Sequence, residues 1–299
     1  MITIKGVQYM SDFEAKNAIL DIGKRMYAKG FVAANDGNIS CKAGPDTIWT
    51  TCTNVSKGFM TQDMLVKMTL DGKILMGSRK PSSEVKMHIR VYNENPDVMA
   101  VTHAHPPVAT SFAIAGVDLD KAILPEAVVQ LGTVPVAQYA TPSTQEVPDS
   151  IAPYCKDYNG VLLANHGALT WGKDVYQAYH RLESVEYYAT VLMYTGNIIC
   201  KQNELSKAQV DALIDIRKKI GITTGGMPVL TQQHSNYNTA PAIQTTQNNI
   251  PDTSSLNGVT SIVRPSDNIN GMAGASMTSG KSKSDMIEEI VRRVVTQIK

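Results

Sequence analysis

The sequence predicts an α/β fold in which helices cover one central sheet, and three observations support it. Short apolar stretches typical of strands alternate along the chain with amphipathic stretches of helical periodicity. Glycine or proline ends several of these stretches, as expected at element boundaries. The 299 residues, of which 43% are hydrophobic and 18% charged, suffice for one large domain or two ordinary ones with a sizeable core.

The first predicted elements follow in order along the chain. A helix covers "SDFEAKNAILDIGKRMYAKG", where Ser11 can cap the N-terminus and Gly30 ends the helix. A tight turn at Asp71-Gly72 joins two strands in "LVKMTLDGKILMG". The helix in "SSEVKMHIRVYNENP" is stopped by Pro96. Two short apolar strands follow, "DVMAVTHAH" and "NGVLLANHG", and each ends in histidine.

Two more helices precede a sharp change of composition. Gly196 should close the long helix "DVYQAYHRLESVEYYATVLMYTG", and a later helix covers about Ser206 to Ile220. After Gly225 the chain is rich in Gln, Asn, Ser and Thr, so it cannot bury enough apolar surface to offset the entropy lost on ordering. We therefore expect a catalytic domain at 1–225, a disordered linker at 226–280 and an amphipathic helix at 281–299.

The two strands that end in histidine carry the strongest chemical pattern. Residues i and i+2 of a strand point to the same side, so His103 and His105 present two imidazoles together. The two prolines that follow keep this strand from continuing. With His166, at the end of the second strand, they form a set that suits Zn²⁺ with an open coordination position. The alternative is three ordinary core or surface histidines.

The segment "KPSSEVKMH" adds a carboxylate. Glu84 is expected in the first turn of a helix beside Ser82 and Ser83, and helix N-termini favour anions. The hydroxyls and free amides can hold a phosphate, with Glu84 next to it as a proton shuttle or labile fourth ligand. An N-cap serine with a first-turn glutamate is also a common helix start. His88, on the same helix face, is expected to orient Glu84 rather than to bind metal.

Composition argues against several classes of function. The formal net charge of +1 disfavours a strongly basic nucleic-acid binder. No apolar run approaches the roughly 20 residues needed to cross a bilayer, and the N-terminal stretch lacks the pattern of a signal peptide. The four scattered cysteines are expected to be free thiols in a reducing cytoplasm. Neither nucleic acid nor a membrane is therefore an expected partner.

Five segments in this order resemble the class II aldolase/epimerase family (its fuculose-1-phosphate aldolase-like group) over about residues 10 to 220: "DGNIS", "TNVSKG", "KPSSEVKMHIRVY", "VTHAHPPVATSFAIAG" and "LLANHGALTWG". The resemblance implies a three-layer α/β/α sandwich around a largely antiparallel sheet. It also implies a homotetramer with sites between subunits and cleavage of a sugar phosphate with one Zn²⁺ per subunit. The acid/base role falls on Glu84, and the metal ligands are His103, His105 and His166. The residues that match the phosphate-binding set are Asn38, Thr53, Asn54, Ser82 and Ser83.

The glutamate also bears on which reaction of the family to expect. Epimerase relatives usually carry Asp where Glu84 stands, so the resemblance favours an aldolase. A sugar-phosphate 4-epimerase, a dehydratase or a decarboxylase on the same metal scaffold is the alternative. The resemblance implies a tyrosine near Glu126 as the acid for the aldehyde oxygen, but "LPEAVVQLG" contains none and the next is Tyr139, so Glu126 is the candidate for that role. An exposed or otherwise paired carboxylate at Glu126 is an equal alternative.

Residues 282–298, "SKSDMIEEIVRRVVTQI", form an amphipathic helical pattern with one apolar stripe. An isolated helix of this length is marginal in water, so the stripe needs a partner. The helix can pack on its own catalytic domain or mediate oligomerisation, but a flexible linker of about 55 residues favours a more distant partner.

A short amphipathic helix behind a flexible linker is similar to the encapsulation peptides of bacterial microcompartment enzymes. That resemblance implies helix-in-groove docking to shell proteins through residues 282–298. Microcompartments that process fucose or rhamnose need an aldolase that yields lactaldehyde. We therefore expect cleavage of L-fuculose 1-phosphate, and also of L-rhamnulose 1-phosphate, to dihydroxyacetone phosphate and lactaldehyde, in the lumen of a cytoplasmic microcompartment.

Overall fold

The computed structural model describes residues 1–4 and 6–230. These residues contain an eight-stranded sheet with helices on both faces. The strands are β1 (Ile2–Ile4), β2 (Val7–Tyr9), β3 (Asn38–Gly44), β4 (Thr47–Thr51), β5 (Leu65–Thr69), β6 (Ile74–Met76), β7 (Ala100–Ala104), β8 (Val136–Ala137), β9 (Gly160–Leu163) and β10 (Gly167–Gly172). The helices are α1 (Asp12–Ala28), α2 (Val85–Glu94), α3 (Pro107–Ala115), α4 (Glu146–Ile151), α5 (Val175–Met193) and α6 (Lys207–Lys219). The predicted tail helix at 281–299 lies outside the described residues.

The sheet has the strand order β6-β5-β4-β3-β7-β10-β9-β8. Every neighbouring pair is antiparallel except β8 and β9, which run parallel. The predicted α/β class and the largely antiparallel sheet are therefore confirmed. The predicted turn at Asp71-Gly72 joins β5 to β6, and the positive φ of +96° at Gly72 explains why the turn needs glycine. Strands β1 and β2 form a separate small hairpin.

Helices cover the sheet on both sides, and the two larger apolar clusters lie on its opposite faces. One apolar cluster joins the sheet to α1, α3 and α5, and the other joins it to α2 and α4. Successive strand residues point to opposite faces. In β7, Ala100 and Ala104 belong to the first cluster and Val101 to the second. His103 shares the face of Val101, so the sheet directs this imidazole toward the side on which α2 lies.

The helix boundaries agree with the sequence at most ends. Ser11 caps α1 with a reciprocal capping box, in which its Oγ accepts from the Glu14 N–H and its own N–H donates to the Glu14 carboxylate. The prediction that Gly196 closes the long helix is wrong. Helix α5 passes directly into a π-helical turn, Tyr194–Ile198, and Gly196 lies inside it. The backbone continues because wider hydrogen bonds form there, such as that from the Ile199 N–H to the Tyr194 carbonyl at 2.7 Å.

Other features of the described part concern its last residues, its cysteines and its helices. The first residues of the predicted linker contact the preceding part of the chain, where the Val229 N–H donates to the Asp120 carbonyl at 2.9 Å.

All four cysteines are free thiols, and Cys200 is the exposed member. No helix in residues 1–4 and 6–230 combines the length and apolar character that a membrane span requires.

Candidate active site

Three histidines meet where β7 ends beside the turn between β9 and β10. His103 is the fourth residue of β7, while His105 lies just after it, because the strand ends at Ala104 rather than at His105 as predicted. Strand β10 pairs antiparallel with β7 and begins at Gly167, so the turn before it holds His166 beside the other two rings. One ligand nitrogen from each ring lies within 4.8 Å of the others. The predicted three-imidazole set is therefore assembled.

The turn that carries His166 has specific backbone requirements. Asn165 adopts a left-handed conformation with φ of +58°, which asparagine tolerates better than most residues. A Cβ on Gly167 would lie 2.5 Å from the Ala104 carbonyl oxygen and 2.6 Å from Cδ2 of His105. Since real Cβ contacts are longer than this, Gly167 allows the turn to approach the end of β7 closely. The "NHG" motif thus serves the packing of the histidines as well as supplying one.

A hydrogen bond to the backbone fixes the tautomer of His103. Nδ1 of His103 donates to the Ala168 carbonyl at 2.9 Å, and Nδ1 of His105 lies 3.4 Å from the Asp36 carboxylate. Burial lowers the pKa of both rings and so favours their neutral forms, and in neutral His103 the lone pair is on Nε2. These two Nε2 atoms are only 3.1 Å apart. A contact this short requires either a proton on Nε2 of His105 or a cation shared by the two nitrogens.

The donor set fits a divalent metal ion. Tetrahedral coordination with Zn–N bonds of ~2.1 Å separates ligand nitrogens by about 3.4 Å, close to the separation of the two Nε2 atoms. The Asp36 and Ala168 oxygens supply the outer contacts that commonly orient metal-bound histidines. His103, His105 and His166 are therefore the residues that would hold the metal, and three imidazoles leave a coordination position open for substrate.

Glu84 lies against this histidine set. Its Oε1 is 3.1 Å from Nε2 of His166, and its Oε2 is 3.7 Å from Nε2 of His103. Burial raises the pKa of the carboxyl, whereas a positive charge on His103 and the hydrogen bond from His166 lower it, and the net direction is downward. Glu84 is therefore a carboxylate. It occupies the N-cap position of α2 rather than the first turn as predicted, because the helix begins at Val85.

Asn38 connects the first polar loop to this carboxylate. Its side chain is buried, and Nδ2 donates to Oε2 of Glu84 at 2.7 Å and lies 3.4 Å from the Ser82 hydroxyl. The Ser82 hydroxyl also accepts from the Glu84 N–H at 3.3 Å. Asn38 and Ser82, predicted to bind phosphate, are thus placed where they hold Glu84.

The other predicted phosphate-binding residues lie on two adjoining loops. Backbone hydrogen bonds join these loops, from the Thr53 N–H to the Lys80 carbonyl and from the Ser82 N–H to the Thr51 carbonyl. Thr53 is half-buried, and the exposed Asn54 has a left-handed φ of +59°. Asparagine tolerates that backbone better than most residues with a side chain. Ser83 is exposed and accepts from the Ser143 hydroxyl at 2.9 Å.

Two predicted residues are not tied to the site. Glu126 is exposed at the start of a π-helical turn, and within the described part of the chain it forms no hydrogen bond or ion pair with the histidines or Glu84. His88 does not contact Glu84 by a hydrogen bond, contrary to expectation. Its Nδ1 lies 2.7 Å from the Ser40 hydroxyl, which in turn lies 2.8 Å from the Tyr92 hydroxyl.

The sequence analysis missed two residues near the site. Asp36 contacts His105, and Lys57 is buried beneath the loops, with a residue exposure of 1%. Both belong to quoted motifs, "DGNIS" and "TNVSKG". Position next to a glycine-asparagine pair could have pointed to Asp36, but no local pattern distinguishes a buried lysine from the exposed lysines that are far more common.

Comparison with known proteins agrees with this geometry. The chain matches the family described as "Class II Aldolase and Adducin N-terminal domain" over residues 17–193. It is 30% identical to the L-fuculose phosphate aldolase of Methanococcus maripaludis (strain DSM 14266) over 179 residues, 60% of this chain and 96% of that protein. It is 29% identical to the 3-oxo-tetronate 4-phosphate decarboxylase of Pectobacterium atrosepticum over 191 residues, 62% of this chain and 87% of that protein.

A solved structure gives the same assignment. The structure of an L-fuculose 1-phosphate aldolase superposes with a TM-score of 0.64 at 27% identity, and the match covers 71% of this chain and 100% of that one. The three histidines and Glu84 all fall inside the residues that match the family, and that range exceeds half of the chain. The chain therefore belongs to the class II aldolase family, as an enzyme of the lyase type from a family that depends on a metal ion.

Proposed function

We propose that this enzyme is a zinc-dependent aldolase that cleaves L-fuculose 1-phosphate, and also L-rhamnulose 1-phosphate, to dihydroxyacetone phosphate and lactaldehyde. The observation that carries the proposal is the ionised Glu84 carboxylate 3.1 Å from His166, at a three-histidine set suited to an open metal site. A relative and a solved structure whose names state that they are fuculose-phosphate aldolases add support.

Cleavage of the C3–C4 bond of a ketose 1-phosphate requires a net transfer of one proton. The hydroxyl on C4 loses its proton as the aldehyde forms, and C3 gains one as the enediolate becomes dihydroxyacetone phosphate. When bound, Zn²⁺ supplies a Lewis acid that stabilises the negative charge of the enediolate. Glu84 is a carboxylate in the free enzyme, so it can accept a proton and return it to C3.

The surroundings of Glu84 suit this role. Asn38 donates to one carboxylate oxygen at 2.7 Å and so fixes the plane of the group. The other oxygen faces His166, on the side of the metal site. With Nε2 of His166 engaged by a metal ion, Asn38 would be the donor that holds the carboxylate, and the second oxygen would be available for proton transfer; a fixed direction of approach lowers the entropic part of the barrier.

The phosphate group is proposed to bind at Thr53, Asn54, Ser82 and Ser83, close to the N-terminus of α2. This terminus offers the positive end of the helix dipole. Glu126 is proposed as the acid for the aldehyde oxygen in the reverse condensation, and in cleavage the same group would pass the proton of the C4 hydroxyl on toward Glu84. The exposed carboxylate of Glu126 fits a group that acts across a subunit boundary, as a homotetramer with sites between subunits would require.

A decarboxylase is the second candidate, because a relative named as 3-oxo-tetronate 4-phosphate decarboxylase is 29% identical. Loss of CO₂ also leaves an enolate-type anion that needs a metal ion and a proton donor, so the same residues serve both reactions. A 4-epimerase or a dehydratase on this scaffold would instead release neither dihydroxyacetone phosphate nor CO₂.

One experiment separates these reactions. The zinc-loaded full chain is incubated separately with L-fuculose 1-phosphate, L-rhamnulose 1-phosphate and 3-oxo-tetronate 4-phosphate. We expect dihydroxyacetone phosphate from the first two, measured by coupled reduction with NADH, and no CO₂ from the third. CO₂ release without aldol cleavage would transfer the assignment to the decarboxylase.

We further propose that residues 282–298 form a helix that docks to microcompartment shell proteins and places the enzyme in the lumen. The apolar stripe of this segment supports the proposal, because it needs a partner. A fluorescent protein fused to residues 281–299 should form puncta in a cell that assembles microcompartments. Val291→Glu, on the stripe, should make the signal diffuse, whereas Glu288→Gln, on the polar face, should not. A diffuse signal from the unaltered fusion would exclude encapsulation.

A further inference from the structure

Lys57 is a buried cation close to the site, and the chemistry above does not use it. Its residue exposure is 1%, and its Nζ donates to the carbonyls of Asn35 and Val55, each at 2.7 Å. In the described part of the chain no carboxylate lies within ion-pair distance of this ammonium group. Burial lowers its pKa to about 8. Burial of a cation without an ion-pair partner lowers the stability of the fold, so we expect Lys57 to have a function that offsets this cost.

The two carbonyls belong to the two loops that lead into the site. Asn35 precedes Asp36, whose carboxylate lies 3.4 Å from Nδ1 of His105. Val55 follows Asn54, one of the residues proposed to bind phosphate. A weak side-chain contact at 3.5 Å, from Nδ2 of Asn35 to Oδ1 of Asn54, also joins these loops. Lys57 therefore connects the residue that orients a proposed metal ligand with a residue of the proposed phosphate site.

Both loops hold backbone conformations that need support. Ala34 has φ of +45° and Asn54 has φ of +59°, in the left-handed region that costs non-glycine residues on the order of 1–3 kcal/mol each. Residues 33–35 and Asn54 are exposed, whereas Val55 anchors the second loop in the apolar core. Hydrogen bonds from a charged donor are stronger than those between neutral groups. The ammonium group thus restrains the two loops relative to each other through two hydrogen bonds from a charged donor.

We propose that Lys57 is a positioning residue that clamps residues 33–37 to residues 53–56, so that Asp36 is held on His105 and Asn54 is held beside the bound phosphorylated ketose. This inference rests on the proposed function for the identity of the substrate. The proposed effect of Lys57 on the metal site does not depend on which sugar phosphate is cleaved. Lys57 acts through the two carbonyls and touches no reacting atom.

Arg217 offers a matched control. It is also a buried cation, with 4% exposure, and it donates to the carbonyls of Val128 and Gly226 at 2.9 and 2.8 Å. None of its hydrogen bonds reaches a residue of the site. Lys57→Met and Arg217→Met each delete a buried cation and leave backbone carbonyls without their donor. Both should lose stability, but only the first should disturb the metal site.

The test uses the full chain and two readouts at the metal site that do not depend on turnover. Zn²⁺ affinity is measured by competition with a chelator, and Co²⁺ is added in place of zinc to record its visible absorption, which reports ligand geometry. We expect Lys57→Met to weaken Zn²⁺ binding about 10-fold or more, as loss of an outer contact does, and to change the Co²⁺ spectrum. KM for L-fuculose 1-phosphate should rise as well. Arg217→Met should bind Zn²⁺ with the parental affinity, and its Co²⁺ complex should have the parental absorption spectrum.

A second variant keeps the proposal testable if Lys57→Met does not fold. Asp36→Asn alters a carboxylate that is 41% exposed, so the fold should tolerate it, and it should reproduce the loss of Zn²⁺ affinity. In the double variant the losses should be less than additive, because both act through the same contact. Parental affinity and spectrum in folded Lys57→Met, or in Asp36→Asn, would overturn the proposal.

The outcomes also separate this inference from the proposed function. If the parent binds Co²⁺ but cleaves none of the sugar phosphates, the proposed function fails while the spectra still decide the role of Lys57. If the parent cleaves L-fuculose 1-phosphate and Lys57→Met matches it in KM, affinity and spectrum, the inference alone fails. If the parent binds neither metal, both fail.

Discussion

Replacement of His88 by asparagine should remove a specific sensitivity to acid. His88 is fully buried in α2, and its Nδ1 lies 2.7 Å from the Ser40 hydroxyl. Burial lowers its pKa from 6.5 to about 3, although the negative charge of Glu84 opposes this shift. Asparagine places an amide atom near the position of Nδ1, so His88→Asn can keep the Ser40 contact while it deletes the titrating ring.

The sign and size follow from the two pKa values. Because the pKa is lower in the folded state, the unfolded state binds the proton first as the pH falls. The stabilising contribution is therefore complete above about pH 6.5 and is lost progressively toward pH 3. The full loss is about 5 kcal/mol, since each pKa unit corresponds to roughly 1.4 kcal/mol. Between pH 7 and pH 5 the expected loss is about 2 kcal/mol.

Urea unfolding of the metal-free chain at pH 7, 6 and 5 measures this loss. The parent should lose about 2 kcal/mol more of its free energy of unfolding between pH 7 and pH 5 than His88→Asn does. Comparison of the slopes cancels the other titrating groups, and it also cancels any constant cost of the substitution. His180→Asn, at an exposed histidine of α5, should keep the parental slope. Equal slopes for the parent and His88→Asn would refute the reasoning, because they would mean that the buried ring is not held neutral.

Three further predictions concern the candidate site. Glu84→Gln should lower kcat by about 10²- to 10⁴-fold while the zinc content stays at the parental level; parental kcat in the aldol cleavage assay would exclude Glu84 as the acid/base. Gly167→Ala would place a Cβ 2.6 Å from Cδ2 of His105 and should weaken Zn²⁺ binding about 10-fold, as measured by chelator competition. Gly196→Ala is the control: its added Cβ would have its nearest contact at 3.4 Å, so this variant should bind Zn²⁺ with the parental affinity. Asn38→Ala removes the donor 2.7 Å from Glu84 and should lower kcat about 10-fold or more, and steady-state kinetics that show only a higher KM would contradict this.

Much of the candidate site could be predicted because its parts are local in sequence. His103 and His105 are two residues apart, so strand geometry alone places both rings on one side. Glu84 and the two serines before it mark a helix start by their spacing. The outer contacts of the site could not be predicted in the same way. Asp36 meets His105 across 69 positions of sequence, and only the pairing of β3 with β7 brings the two together.

Lys57 and His88 show why burial lies beyond local pattern. A lysine after a serine in a polar loop has the sequence context of an exposed residue, and its contacts with Asn35 and Val55 arise only when two loops converge. His88 was expected to reach Glu84 because four residues separate them on one helix face. The helix instead turns that ring toward Ser40 of the neighbouring strand β3, since the core on that side of the sheet encloses it.

The sequence by itself determined the class of fold, the positions of most elements and the identity of the groups that can bind a metal and carry a proton. These properties depend on periodicity, caps and residue chemistry, which act over a few neighbouring residues. Tertiary structure decided which nitrogen of His103 is held by the backbone, which oxygen of Glu84 is held by Asn38 and which charges are buried. Those outcomes depend on contacts between strands and loops distant in the chain, and no short stretch of sequence contains both partners.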